Sequence, residues 1–136
     1  MNIGDAAQAS GVSAKMIRYY ERIGLMHARG RTEGGYRIYA HDEIETLRFI
    51  RQARKLGFPL EQIQKLLALW QDRERASSEV KALALEHLRE LDARIAELGA
   101  MRDAVAHLAD HCAGDARPCC PILDGLSHAG EAMLAS

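Results

Sequence analysis

The 136-residue chain is 48% apolar and 27% charged, which supplies a core for one domain or two small ones and excludes a disordered chain or a disulfide-only scaffold. Its formal net charge of -1 conceals a split, with 13 Lys and Arg against 9 Asp and Glu in residues 1–75 and 5 against 10 in residues 76–136. A basic half suited to a polyanion therefore precedes an acidic half with other work. No apolar run approaches the roughly 20 residues of a membrane helix and no signal peptide is visible, so a cytoplasmic protein is expected.

Scarce aromatics, only 5%, and abundant Ala, Leu, Glu and Arg point to helix rather than a β-sandwich. Asn2 is placed to cap a short helix holding Ile3, Ala6 and Ala7, with Asp5 at its third position. Gly11 then supplies a tight turn, and Ser13 caps a second helix from about Ala14 to Ile23. Met16, Ile17 and Tyr20 give that helix an apolar stripe, with Tyr20 assigned to the core. Lys15, Arg18 and Arg22 give it a basic stripe, and Gly24 is a natural stop. Two short helices around a glycine turn, the second basic, is the pattern of a DNA-reading helix-turn-helix.

The segment from Arg29 to Tyr39 reads as a hairpin, with glycines at its tip and Tyr36 and Ile38 alternating with Arg37 and Tyr39. Beside a helix-turn-helix it is a wing whose Arg and Tyr reach phosphates. Asp42 is expected to cap a helix burying Ile44, Leu47, Ile50 and Ala53, closed by Gly57. Pro59 opens another, with Ile63, Leu66, Leu67 and Trp70 on its buried face. Residues 71–77 form a polar hinge, and one long helix follows from Ser78 to about His107. On it Leu91, Leu98 and Val105 recur every seven residues with Leu88 and Ile95 between them, a two-helix seam that predicts a homodimer. The three cysteines, Cys112, Cys119 and Cys120, fall within nine residues. Their number is odd and two are adjacent, which favours local chemistry over structural disulfides.

Three ordered motifs resemble the MerR family of transcription regulators: Ile17-Arg18-Tyr19-Tyr20-Glu21-Arg22-Ile23-Gly24-Leu25, Gly35-Tyr36-Arg37-Ile38-Tyr39 and Arg51-Gln52-Ala53-Arg54-Lys55-Leu56-Gly57-Phe58. The fold implied is mainly α. A winged helix-turn-helix DNA-binding domain (1–70) and hinge (71–77) precede a dimerisation helix (78–110) that pairs as an antiparallel coiled coil, then a metal-binding loop with a short C-terminal helix (111–136). Arg18, Tyr19, Tyr36 and Arg37 match positions the family uses on DNA, and Lys15, Arg31 and Arg54 are phosphate contacts by charge. The partners implied are double-stranded promoter DNA, a second copy of the chain and RNA polymerase holoenzyme on the promoter. No catalysis is required.

The tail is similar to the copper-efflux regulator (CueR-like) branch, in which a cysteine ends the long helix and a second, followed by Pro-Ile, closes a loop. Cys112 and Cys120-Pro121-Ile122 fit that pattern. Ser77 matches the serine of monovalent-ion sensors, where divalent-ion sensors place a ligating cysteine. The resemblance thus implies a sensor of Cu(I), with Ag(I) and Au(I) as mimics, held by Cys112 and Cys120. Soft thiolates suit Cu(I), and two suffice for a d¹⁰ monovalent ion, whereas Zn(II) generally takes four ligands. Two thiolates around one monovalent cation remain anionic, which a helix amino-terminus with Ser77 and Ser78 favours. Cys119 departs from the branch pattern and is read as a surface thiol. Asp110, His111, Asp115 and Cys119 itself are the other donors nearby, so a tetrahedral set stays open, although His111 is read as a solvated side chain rather than a ligand. The rival readings are a divalent sensor (Zn, Cd, Pb or Hg) using all three cysteines, a thiol redox protein using Cys119 and Cys120, and a metal-buffering coiled coil.

Overall fold

The computed structural model describes residues 1–111, 114 and 122–127. Helix α1 (Ile3–Ser10) begins where the Asn2 side chain accepts a hydrogen bond from the Asp5 N–H at 2.8 Å, satisfying one of the first turn's orphan donors. It ends at Gly11, whose φ of 77° lets its own N–H close onto the Ala7 carbonyl. The left-handed backbone is what favours glycine at this turn, since the nearest atoms to a Cβ there would belong to the exposed Arg51 side chain, which can move aside. The Ser13 hydroxyl then accepts from the Met16 N–H at 3.2 Å and opens α2 (Ala14–Arg22).

Strands β1 (Gly30–Arg31) and β2 (Arg37–Ile38) pair antiparallel, Gly30 opposite Ile38 and Arg31 opposite Arg37. The expected two-sided alternation is not what the ribbon shows. Arg37 and Ile38 are both half-buried, Tyr36 is 75% exposed and Tyr39 is fully buried. Two-residue strands have no face broad enough to lie on a core, so the hairpin is anchored by the residue at its end.

Helix α3 (His41–Lys55) buries Ile44, Leu47, Ile50 and Ala53, as the spacing predicts. Its cap differs. Ala40 holds the N-cap position and Asp42 lies inside the first turn, where its carboxylate takes the Arg29 Nη2 at 3.0 Å while Arg29 Nε reaches Glu43 at 3.0 Å. An ionised fork is a stronger partner than a backbone amide, and the two acids still favour the helix start through its dipole. This fork raises the Arg29 pKa, chiefly through the Glu43 hydrogen bond, and ties the foot of the wing to α3.

Pro59 stands at the N-cap of α4 (Leu60–Gln71), one residue ahead of the helix. Ile63 and Leu67 are buried, but Leu66 is only half-buried and Trp70 is 40% exposed, against the expectation that all four face the core. The Trp70 ring stacks on Phe49 at 4.6 Å, covering the rim of the core rather than entering it. Ala6, Ile17, Tyr39, Leu47, Ile50 and Ile63 are fully buried, so α1, α2, the wing, α3 and α4 each contribute to one centre. Arg48 fastens α3 to α1 by donating through Nε and Nη2 to the Ala9 carbonyl at 3.2 and 3.0 Å.

The chain divides into two compact units, Met1–Leu85 and Glu86–Ser136, and α5 (Ser77–Asp110) runs through the division. It starts one residue before the predicted Ser78 and continues through Gly99. Leu88, Ile95, Leu98 and Val105 are between 52% and 66% exposed, as is Met101, and Leu91 is half-buried. In the second unit a short helix α6 spans residues 122–127. The Leu108 side chain occupies the place where a Cβ on Gly125 would stand, so glycine permits the close approach of α6 to the end of α5. No helix among the described residues is long and apolar enough to cross a membrane.

Candidate nucleic-acid interface

Between α2 and the wing lies an open cleft of ≈ 700 Å³ lined by Lys15, Arg18, Arg22, Arg31 and Arg37. Helical spacing puts Lys15, Arg18 and Arg22 on one side of α2, and the hairpin register sets Arg31 directly across from Arg37. A shallower hollow beside it brings Tyr36 together with Arg18, Arg31 and Arg37. Tyr19 is half-buried, with the Arg22 guanidinium 5.6 Å from its ring centre, a cation–π contact. Tyr20 is buried, in line with its assignment to the core.

Glu21 carries a carboxylate into this basic cleft, and the sequence reading gave it no role. Its Oε2 lies 2.8 Å from the Arg37 Nε, and its Oε1 accepts a 2.7 Å hydrogen bond from the Tyr39 hydroxyl. One carboxylate therefore joins helix, wing and core. It also orients Arg37, whose side chain keeps 37% exposure. The visible signal was an acid embedded in a basic helical stripe.

Burial raises the Tyr39 pKa first, and its bond to Glu21 raises it further. The unfolded chain releases that proton near the ordinary value of about 10 while the folded chain holds it. The stability this contributes is complete below about pH 10 and is lost as pH climbs toward the raised folded value. Tyr39→Phe is expected to lower unfolding free energy by about 1.5–3 kcal/mol at neutral pH, the worth of a hydrogen bond to a charged group. It should also flatten the alkaline loss above about pH 10. Denaturant titrations at neutral and alkaline pH check both, and an unchanged midpoint would mean the bond is idle.

Arg54 is not in that cleft. It borders a separate hollow with Gly11, Ser13, Met16, Arg51 and Lys55 at the start of α2, so basic side chains flank the helix on two sides. Arg51 and Lys55 were missed as candidates because their placement depends on α3 packing against α1.

Of the metal candidates, Cys112, Cys119, Cys120 and Asp115 lie outside the described residues. Ser77 is exposed at the first position of α5 and borders a hollow with Arg73, Arg75 and Lys81. Asp110 and His111 are exposed at the other end of that helix. Among the described residues, no three His, Cys, Asp or Glu side chains converge as a metal cluster.

The family model described as MerR HTH family regulatory protein matches residues 1–70, and the one described as MerR, DNA binding matches residues 44–108. The chain belongs to the MerR family. Across 128 residues it is 57% identical to the heavy metal-dependent transcription regulator 2 of Rhizobium meliloti, covering 94% of this chain and 87% of that protein. It is 43% identical over 127 residues to the HTH-type transcriptional regulator CueR of Salmonella typhimurium, covering 93% and 92%. Among solved structures it superposes with a TM-score of 0.80 on the transcription regulator PbrR691 from Ralstonia metallidurans in complex with lead(II), at 30% identity over 93% of this chain and 98% of that one. Within the MerR family frame, α1 and α2 are the helix-turn-helix, and the ribbon is the wing that shares a basic cleft with α2.

Proposed function

We propose that the chain is a metal-responsive transcription regulator that binds promoter DNA as a homodimer and senses Cu(I), or Ag(I) and Au(I), through Cys112 and Cys120. The DNA half of this reading rests on the cleft in which Lys15, Arg18, Arg31 and Arg37 converge from helix and wing. Arg18 has no ion pair among the described residues, and Arg37 is aimed by Glu21. Tyr19 and Tyr36 flank the positive surface, and Arg54 extends it past the turn. A phosphate backbone is the polyanion that such a surface holds.

The monovalent half rests on the start of α5. Arg73, Arg75 and Lys81 surround Ser77 there, and a helix amino-terminus adds partial positive charge. Two thiolates around one monovalent cation keep a net negative charge, and this hollow suits an anion. A divalent ion with the same two thiolates would be neutral and gain less. Ser77, lacking a thiol, sets selectivity by declining to complete a third bond. The rival, a divalent sensor using all three cysteines, draws on the likeness to a lead(II)-bound regulator.

In operation, a metal ion held by Cys112 and Cys120 would bias the DNA-binding domains between two arrangements. The DNA between the half-sites bends and untwists so that RNA polymerase holoenzyme engages both of its promoter elements. The ion supplies only a cross-link between thiolates. The deciding experiment is in vitro transcription from the cognate promoter under reducing conditions with Cu(I), Ag(I), Zn(II) and Pb(II) in turn. Activation by the monovalent ions alone supports the reading, and activation by Zn(II) or Pb(II) alone replaces it with the divalent one.

Arg18→Ala is expected to weaken promoter binding by similar factors with and without Cu(I), because a phosphate contact fixes register whatever the effector does. Each lost contact should reduce the slope of log K against log salt by about 0.9, or about twice that per dimer. Arg37→Ala should act in the same direction while also leaving Glu21 without its ion pair. Binding measured across a salt series reads both effects, and an intact slope in Arg18→Ala would take α2 off the DNA.

A further inference from the structure

His107 and His111 stand one turn apart at the end of α5, both exposed, with ring centres 4.2 Å apart and planes inclined by 45°. The His111 Nδ1 lies 2.7 Å from the His107 backbone oxygen. A carbonyl oxygen has no proton to give, so Nδ1 is the donor, and in the neutral ring the lone pair is on Nε2. Histidines that bind metals characteristically have their other ring N–H held by a carbonyl or carboxylate, which fixes tautomer and orientation. The helix itself provides that support for His111.

We propose that His107 and His111 form a two-imidazole site for a borderline divalent cation, of which Zn(II) is the probe, separate from the thiolates and completed by water. Imidazole nitrogen suits Zn(II), Ni(II) and Cu(II), whereas soft monovalent ions go to sulfur. With nitrogen–metal bonds of about 2.0–2.1 Å and a tetrahedral angle between them, two rings directed at one ion have centres about 5 Å apart. A small rotation of two exposed side chains opens 4.2 Å to that spacing. Charge favours the same spot. The carboxyl end of a 34-residue helix carries the negative pole of its dipole, and Asp110 in the same turn adds an acid. A bound ion would link residues 107 and 111 across the last turn and hold that turn helical. The site does not depend on copper sensing, and neither reading fails with the other.

The test uses the full chain with Cys112, Cys119 and Cys120 all replaced by serine, titrated with Zn(II) by calorimetry. One ion per chain is expected. His107→Asn and His111→Asn, each added to that background, should weaken binding at least tenfold, while His41→Asn should not. Nitrogen NMR of the imidazoles should show the His111 Nε2 resonance moving with Zn(II). Circular dichroism confirms that the variants, both at exposed positions, keep their helix content. Zn(II) binding that vanishes with the cysteines, or that survives both histidine substitutions, would overturn the proposal.

Discussion

Cys112→Ser and Cys120→Ser are each expected to abolish Cu(I) binding and metal-dependent transcription, while Cys119→Ser retains both. A two-coordinate ion that loses one thiolate keeps a single ligand, so the loss should far exceed the roughly 10–100-fold cost of removing a residue that merely supports a ligand. Serine preserves size and removes the soft donor, which isolates the chemistry from packing. Promoter binding without metal should persist in all three variants, because the helix and wing are remote from the thiols in sequence. Competition against a Cu(I) chelator and transcription assays read the two properties separately. Induction that survives in Cys120→Ser but fails in Cys119→Ser would move the site to the neighbouring sulfur. Dependence on all three would favour a divalent ion.

Ile95→Asp combined with Leu98→Asp should convert the protein to a monomer and cut promoter affinity by about 10²–10⁴, the range over which tethering a second binding module raises avidity. Both side chains are roughly two-thirds exposed in the single chain, at 66% and 64%. A carboxylate at either position therefore leaves the monomer's own packing intact. Between two copies it would place a charge inside an apolar seam, which is strongly unfavourable. Sedimentation equilibrium gives the mass, circular dichroism the helix content, and DNA titration the affinity. A variant that remains dimeric would assign the interface to another face of the molecule.

These expectations trace to signals of different range. Asn2, Gly11 and Ser13 were legible because capping and turn chemistry act within three or four residues. The stripe of α3 was legible because helical periodicity reports burial directly. Asp42 was misread as a cap because its partner, Arg29, is 13 residues away and meets it only once the wing has folded. Trp70 was misread because a large apolar ring can shield a core edge as well as fill it. In the candidate interface, charge named Lys15, Arg18 and Arg31, but Glu21 acquires its role only from the positions of Arg37 and Tyr39. Arg51 and Lys55 became visible when α3 docked beside the turn. For the cysteines, the residue types and their spacing carry the argument.

The carboxylate shared by Arg37 and Tyr39 also bears on engineering of such regulators. Reprogramming operator preference by transplanting α2 from another protein would import a different residue at position 21, or the same residue facing a foreign ribbon. The first strands Arg37 and the buried Tyr39 phenol in the recipient, and the second leaves the carboxylate itself without partners. The smallest transferable cassette is therefore discontinuous, α2 together with residues 37 and 39, and chimeras that honour that boundary should lose less of their folding cooperativity than those cut at the helix ends.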